Sequence, residues 1–238
     1  MHPKYSRILL KLSGEQLAGK FDGGIDAEVV NYLVREVRKV AELGVQVVIV
    51  VGGGNFVRGA QIEGHGIKRV TGDHMGMLAT MINALALTDI FEHQGIPTRC
   101  LSNIFAEQVA EPFVFRLAEK HLQNGRVIIL AGGTGRPFMT TDTAAVALAL
   151  ELDCQIVLKA TKVDGVYDKD PAQHKDAHLV SHLSLQEAVE DGAIKVMDKA
   201  AIGLALEHRL PIIVLNAFKE DTIKAAIVGE PIGTLIEG

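Results

Sequence analysis

The order in which apolar and amphipathic segments follow one another constrains the fold of this chain more than any other feature. Apolar runs of strand length, among them "VQVVIVV" and "RVIILA", alternate with longer segments that carry apolar residues at helical spacing. Such alternation is typical of a parallel sheet covered by helices. The sequence therefore predicts an α/β fold, a three-layer α/β/α sandwich around a mainly parallel sheet.

Helices are predicted wherever the apolar period is near 3.6 residues. A long helix predicted from about 73 to 93 is apolar on several sides, so we expect more than its core face to be covered, and a subunit partner is one candidate. The other predicted helices lie near 26–43, 111–123, 140–152, 184–191, 195–208 and 219–228. No linker rich in Pro, Gly or Ser divides the chain, which favours one domain over residues 1–238, with two lobes meeting near 153–170.

Composition and charge exclude several classes of function. The net charge of −5 disfavours general binding to nucleic acid, which depends on Lys and Arg neutralising backbone phosphates. The apolar runs are shorter than the roughly 20 residues that span a bilayer, and the first residues lack a signal-peptide pattern, so we expect a cytoplasmic protein without a membrane segment. Cys100 and Cys154 lack metal-ligand spacing and are expected to be buried, reduced thiols.

Glycine-rich loops follow three of the predicted strands, at 11–14, 50–59 and 130–142. Ligands of open parallel sheets bind at the carboxyl ends of the strands, so these loops are expected to converge on one crevice. Glycine lets backbone N–H groups approach phosphate oxygens closely. The alternative for any single loop is an ordinary turn.

The stretch "GEQLAGKF" at 14–21 is one residue short of a P-loop. It has Gly14, Gly19 and Lys20, but Phe21 stands where a P-loop needs Ser or Thr to bind Mg²⁺. The next predicted helix starts only at about Asp26, whereas a P-loop leads directly into its helix. A P-loop is therefore not predicted here.

Cationic residues stand beside each predicted glycine loop. Lys11 and Lys159 end two apolar strands, while Arg58 and Arg136 lie in the second and third loops. A buried ammonium needs an anion nearby, although an outward-facing Lys11 would not. Phosphoryl transfer depends mainly on positioning and positive charge, which such a cluster would supply.

Polar residues mark the starts of two predicted helices. Thr140, Thr141 and Asp142 precede "TAAVALALEL", where they can cap a helix or help to bind an anion. Asp73 can cap the long helix or accept hydrogen bonds from a sugar. The sequence leaves both choices open.

Six motifs, taken together, closely resemble the bacterial UMP-phosphorylating members of the amino acid kinase family. They are "KLSGE" at 11–15, "GGGN" at 52–55 with Arg58, "GDHMGMLAT" at 72–80, "GTGRPFMTTDTAA" at 133–145, "LKATKVDGVYDKDP" at 158–171 and "KVMD" at 195–198. The resemblance implies transfer of the γ-phosphate of ATP to UMP, with Mg²⁺, in pyrimidine nucleotide biosynthesis. It also implies an acceptor-binding lobe at about 1–153 and an ATP-binding lobe at about 154–238.

The same resemblance implies roles for residues that match the family motifs. ATP would be bound by Lys11, Leu12, Ser13, Gly14, Gly54, Arg58, Thr161, Tyr167 and Asp170. UMP would be bound by Gly53, Asp73, Thr134, Gly135, Arg136, Pro137, Phe138, Met139, Thr140 and Thr141. The catalytic set would be Lys11, Arg58, Asp142, Lys159 and Asp198. The two aspartates would organise either Mg²⁺ or the lysines, and Mg²⁺ would be bound mainly by the phosphates of ATP.

The resemblance also implies regulation, because the bacterial UMP-phosphorylating members of the family are hexamers that GTP activates and UTP inhibits. The loop associated with the GTP response matches Gly19, Lys20, Phe21, Asp22, Gly23 and Gly24, where this sequence departs most from the family pattern. Two alternatives stay open: a related kinase acting on carbamate, acetylglutamate or aspartate, and a non-catalytic nucleotide sensor.

Overall fold

The computed structural model describes residues 2–57, 66–169, 171, 173–190 and 197–238. The strands are β1 (Arg7–Leu12), β2 (Gln46–Val51), β3 (Thr98–Ser102), β4 (Glu111–Pro112), β5 (Val127–Ala131), β6 (Val157–Thr161), β7 (Val166–Tyr167), β8 (Leu179–Val180), β9 (His182–Ser184), β10 (Ile212–Asn216) and β11 (Thr234–Glu237). The helices are α1 (Gly14–Leu17), α2 (Ala27–Ala41), α3 (Arg69–His93), α4 (Phe115–Gln123), α5 (Thr141–Glu151), α6 (Leu185–Glu190), α7 (Lys199–His208) and α8 (Thr222–Val228).

In the described part of the chain, one nine-stranded sheet has the order β4-β3-β5-β2-β1-β6-β10-β11-β9. Every neighbouring pair is parallel except β10 and β11. Strands β7 and β8 form a separate antiparallel pair. The predicted α/β fold with a mainly parallel sheet is therefore confirmed.

Successive side chains of the central strands point to opposite faces of the sheet, and this divides the core into two layers. Leu10 of β1 packs in the layer that contains α2, α3 and α8. Leu9 of the same strand packs on the other face, with α4, α5 and α7. Burial of apolar side chains on both faces explains why the central strands read as continuous apolar runs.

Several element boundaries differ from the prediction. The long helix α3 begins at Arg69, so Asp73 lies inside it and does not cap it. A one-turn helix, α1, begins at Gly14 where only a loop was predicted. Residues 111–112 form an edge strand, and the predicted helix near 111–123 starts only at Phe115, because Pro112 has no N–H and restricts the backbone before it.

Helix α3 is the one helix of the described residues whose length and composition would allow it to cross a membrane. Its inner side packs on β3, β5 and α2, and residues such as Leu87 and Phe91 are completely buried there. These properties also suit a helix in a protein core. Its outer side exposes about half of the Leu78 and Ile82 side chains.

Both cysteines are buried free thiols, as predicted. Burial raises the pKa of Cys100 to about 11 and that of Cys154 to about 12. Neither thiol is therefore a nucleophile near neutral pH, because the thiolate is the reactive form.

Candidate active site

The three predicted glycine loops meet at the carboxyl ends of the central strands. Gly52 N donates to Leu12 O at 2.8 Å, which joins the loops after β1 and β2. A Cβ on Gly14 would lie 2.5 Å from Asn55 Oδ1 and 2.7 Å from Gly52 O, so no larger residue fits there. In the third loop, Gly132 N donates to Thr80 Oγ1 of α3 at 2.7 Å.

Two lysines and one aspartate form a buried charge cluster beside these loops. Lys11 Nζ lies 2.7 Å from Asp142 Oδ1, and Lys159 Nζ lies 2.8 Å from Asp142 Oδ2. The exposed fractions of the three side chains are only 7%, 13% and 16% for Lys11, Asp142 and Lys159. Lys11 is thus paired with a buried anion and does not point outward.

Sheet register brings the two lysines together. Lys11 and Lys159 are direct partners across β1 and β6, so their side chains leave the same face of the sheet. Helix α5 packs on that face, and its first turn supplies Asp142. A site that links residues far apart in sequence is thus specified by backbone pairing.

The pKa values in this cluster follow from burial and charge. Burial would raise the pKa of Asp142, but attraction to Lys11 and Lys159 outweighs it and holds the pKa below its usual value. Burial, together with repulsion from Lys11, lowers the pKa of Lys159 despite the attraction of Asp142. Two basic side chains around one acidic side chain give the cluster an excess of basic groups, which suits an anionic ligand.

Asp198 connects two helix starts. Its carboxylate caps α7 by accepting from Ala200 N and Ala201 N at 3.0 Å each. It also accepts hydrogen bonds from the hydroxyls of Thr140 and Thr143 at the start of α5. The charge of Asp198 opposes the lowering of the Lys159 pKa but does not outweigh it.

The start of α5 is capped by Thr140, which is one of the two roles that the sequence left open. Thr140 is the N-cap, and its hydroxyl accepts from Asp142 N at 3.0 Å and from Thr143 N at 3.3 Å. The cap fixes the first turn of α5, from which Asp142 reaches the lysines. The hydroxyl of Thr140 thus fills the capping role, and its role in binding a ligand stays a prediction.

A cleft of about 520 Å³, partly open to solvent, lies next to the charge cluster. Seven of the residues predicted to bind UMP line it: Gly53, Asp73, Thr134, Arg136, Met139, Thr140 and Thr141. Six further lining residues were not predicted: Val57, Gly72, Gly76, Met77, Thr80 and Gly133. The second and third glycine loops and α3 therefore form its walls.

Asp73 attaches the third loop to α3. Its Oδ1 accepts from Arg69 Nε at 2.9 Å, and its Oδ2 accepts from Phe138 N at 2.8 Å. Phe138 has a left-handed backbone with φ of 65°, and this hydrogen bond helps to hold it there. Phe138, Pro137 and Gly135 are not among the residues that line the cleft.

The residues predicted to bind ATP occupy different environments. Leu12 is buried in the core, so only its backbone faces the loop. Ser13 Oγ accepts from Lys11 Nζ at 3.2 Å, and Thr161 Oγ1 donates to Val163 O at 2.6 Å. Tyr167 lies in the β7–β8 pair, which Thr234 joins to the main sheet by accepting from Val166 N at 2.8 Å.

Two predicted residues, Arg58 and Asp170, lie outside the described residues. The predicted effector loop at 19–24 is described, and it contacts the second glycine loop through Asn55. Asn55 Nδ2 donates to Gly24 O at 2.6 Å, and Gly24 N donates to Asn55 O at 3.3 Å. Gly19 has φ of +57°, and a Cβ there would lie 2.3 Å from the carboxylate of Asp26.

One residue that the sequence did not identify, Asn83, supports these loops from inside α3. It is completely buried, donates to Gly52 O at 2.7 Å, and forms a reciprocal amide pair with Asn55. The available signal was a single amide within the apolar segment "MINALAL". Buried polar side chains of this kind are normally hydrogen-bonded, which makes them candidates for supporting a site.

The geometry defines a protein class: an α/β protein with a cationic cluster and glycine loops at the carboxyl ends of a parallel sheet, suited to phosphorylated ligands. The sequence profile of the amino acid kinase family matches residues 6–216. Since this match spans most of the chain, the protein belongs to the amino acid kinase family.

Individual relatives resemble this chain over almost its whole length. It is 48% identical to a uridylate kinase of Dichelobacter nodosus over 234 residues, covering 98% of this chain and 97% of that protein. The UMP kinase of Bacillus anthracis superposes with a TM-score of 0.94 at 37% identity, covering 98% of this chain and 96% of the other. The UMP kinase of Ureaplasma parvum gives 0.91 at 31% identity, covering 99% and 100%.

Proposed function

We propose that this protein is a UMP kinase that transfers the γ-phosphoryl group of ATP to UMP, giving UDP for pyrimidine nucleotide biosynthesis. The observation that carries the proposal is the cluster of Lys11, Asp142 and Lys159 beside a cleft walled by glycine loops. Support also comes from the uridylate kinase and the UMP kinase that the chain resembles at 48% and 37% identity.

The chemistry needs no general base. The second pKa of a nucleotide monophosphate is about 6, so UMP is largely a dianion at neutral pH and can attack directly. The barrier arises mainly from bringing two polyanions together. Lys11 and Lys159 would neutralise developing charge on the transferred group, while backbone amides of the glycine loops would position its oxygens.

The two substrates would approach this cluster from different parts of one domain. UMP would lie in the cleft formed by residues of 1–153, with Asp73, Arg136 and the segment from Thr134 to Thr141 around it. ATP would lie over residues of 154–238, with Thr161, Tyr167 and Asp170 near the adenosine. Its phosphates would reach Lys11, Ser13, Gly14, Gly54 and Arg58.

Mg²⁺ would enter this site mainly on the phosphates of ATP. Among the described residues, no three His, Cys, Asp or Glu side chains are grouped to hold a metal ion. Both carboxylate oxygens of Asp142 are already near lysines, and those of Asp198 accept protein hydrogen bonds. A metal bound largely by substrate phosphates agrees with the reluctance of Mg²⁺ to lose water to protein cages.

Assembly into a homohexamer in the cytoplasm, with activation by GTP and inhibition by UTP, completes the proposal. The outer side of α3 supports assembly because Leu78 and Ile82 lie one turn apart and are 52% and 50% exposed. Paired apolar residues on the surface of a helix are a common basis for subunit contact. The loop from Gly19 to Gly24 remains the proposed site of the GTP response.

A substrate panel tests the proposed activity. ADP release is measured with ATP and Mg²⁺ in the presence of UMP, CMP, carbamate, acetylglutamate or aspartate, each with and without GTP and UTP. We expect UMP to give the highest kcat/KM, at least about tenfold above CMP. Turnover with one of the acids, or none with UMP, would contradict the proposal, and turnover unaffected by GTP and UTP would contradict only the regulation.

A further inference from the structure

The side chain of Gln16 occupies an unusual place between two strands of the main sheet. Gln16 lies in α1 and is only 7% exposed. Its Oε1 accepts from Ser13 N at 3.1 Å, and its Nε2 donates to Ala160 O at 2.7 Å. One carboxamide therefore joins the loop after β1 to the end of β6.

The hydrogen-bond ladder between β1 and β6 shows what this carboxamide replaces. Leu9 N donates to Ile156 O at 3.0 Å, and the paired residues end at Lys11 and Lys159. Parallel ladders repeat every two residues, so in this register a bond from Lys11 N to Leu158 O comes next, and one from Ser13 N to Ala160 O would follow just beyond the last paired residues. Those are the two groups that Gln16 bridges.

We propose that Gln16 is a positioning residue that opens the phosphate-binding crevice by substituting its side-chain amide for one bond of the β1–β6 ladder. The insertion adds the width of one carboxamide, about 2 Å between its O and N atoms, and a further hydrogen bond of about 3 Å. The strands thereby separate immediately after Lys11 and Lys159, yet Ser13 N and Ala160 O each keep a hydrogen-bond partner.

The separation matters for the proposed function, on which this inference rests. Ser13 and Gly14 are the residues proposed to meet the ATP phosphates, and a continuous ladder would hold Ser13 against Ala160. Gln16 instead fixes Ser13 N from within its own helix, in a capping box that starts α1 at Gly14. The side chain thus sets both the opening between the strands and the direction of the loop.

Paired substitutions to methionine test this role. Gln16→Met keeps the length and shape of the side chain but removes both hydrogen bonds. Gln46→Met is the matched control, since Gln46 also bridges two elements, accepting from Arg7 Nε at 2.7 Å and donating to Leu122 O at 3.0 Å. It lies at the amino end of β2, at the opposite edge of the sheet from the cluster.

Three quantities are compared with the wild type: the Kd for ATP, measured by calorimetry without UMP, and kcat and the KM for UMP, measured by turnover. We expect Gln16→Met to weaken ATP binding about tenfold and to lower kcat by about 10- to 100-fold, with the KM for UMP within about twofold. Gln46→Met should leave all three within about twofold. If both variants give the same ATP affinity and kcat, the positioning role is wrong. Turnover of UMP by the wild-type protein tests the proposed function itself, whereas the comparison of the two variants tests only the role of Gln16.

A pH series with Gln16→Glu keeps the test decisive if the methionine variant folds poorly. A protonated carboxyl can accept from Ser13 N and donate to Ala160 O, whereas the ionised form repels the carbonyl oxygen. Burial raises the pKa of a carboxyl, so the protonated form persists at mildly acidic pH. We expect the ATP affinity of Gln16→Glu to approach the wild-type value at pH 5.5 and to fall as pH rises. A ratio to wild type that is constant with pH would overturn the proposal.

Discussion

Replacing Asp142 by Asn should convert the charge cluster from a stabilising arrangement into a strongly destabilising one. The substitution keeps the shape of the side chain but removes the negative charge between two ammonium groups. In the wild-type protein, each lysine nitrogen lies within 2.8 Å of one carboxylate oxygen of Asp142, so the two nitrogens are close to each other. With a separation of about 5–6 Å and an effective dielectric constant of about 20, their repulsion is about 3 kcal/mol.

That repulsion sets the expected magnitude. Removing one partner of a buried ion pair typically costs about 3–5 kcal/mol, and these side chains are mostly buried, so we expect a loss in that range at pH 7. The loss should shrink at higher pH. Repulsion lowers the pKa of one lysine in the folded variant below its unfolded value near 10.4, so the unfolded chain binds more protons and stability rises with pH in that window.

Urea denaturation of wild type and Asp142→Asn at pH 7 and at pH 9.5 measures both effects. The double variant Lys11→Met, Asp142→Asn is the control, because it removes one of the two repelling charges and should recover most of the lost stability. A double variant as unstable as Asp142→Asn alone would refute the electrostatic reasoning. A loss of stability that is identical at both pH values would refute it as well.

Four further outcomes follow from the structure. Lys11→Ala should lower kcat about 100- to 1,000-fold with an unchanged far-ultraviolet circular dichroism spectrum, and near-normal turnover would exclude its proposed role. Asn83→Leu should cost about 1–3 kcal/mol of unfolding free energy for each buried group left unpaired, measured in urea, whereas a neutral effect would mean that the amide pair is not needed. Thr234→Val should raise the KM for ATP more than that for UMP, with Thr234→Ser close to wild type, and equal changes in both KM values would count against the role of the β7–β8 pair. Leu78→Asp combined with Ile82→Asp should reduce the assembled mass measured by light scattering, and an unchanged mass would place the subunit contact elsewhere.

The sequence predicted the fold and the meeting of the glycine loops because both depend on local patterns. Apolar runs and glycine-rich ends identify parallel strands one at a time, and the carboxyl ends of such strands must share one edge of a sheet. Lys11 and Lys159 were noticed for the same reason, since a charge at the end of an apolar run stands out locally. Register then places the two lysines side by side, and α5, which packs on that face, supplies Asp142.

Features that depend on hydrogen bonds between residues far apart in the sequence could not be predicted in this way. Gln16 contacts Ala160 across 144 positions, and Asn83 contacts Gly52 across 31. Nothing in the neighbouring residues of either amide indicates such a partner. The start of α3 was missed for a related reason, because Asp73 is typical of a helix cap but also serves within a helix when a loop such as that at Phe138 supplies a donor.

The register between β1 and β6 has a consequence for how this chain tolerates changes in length. Successive side chains of a strand point to opposite faces, so deleting one residue between Arg7 and Leu10 would turn Lys11 away from α5 and toward α2. The number of residues in β1 and β6 therefore determines whether Lys11 and Lys159 lie side by side on the same face. Insertions and deletions should be accepted in the connecting loops but not within these two strands.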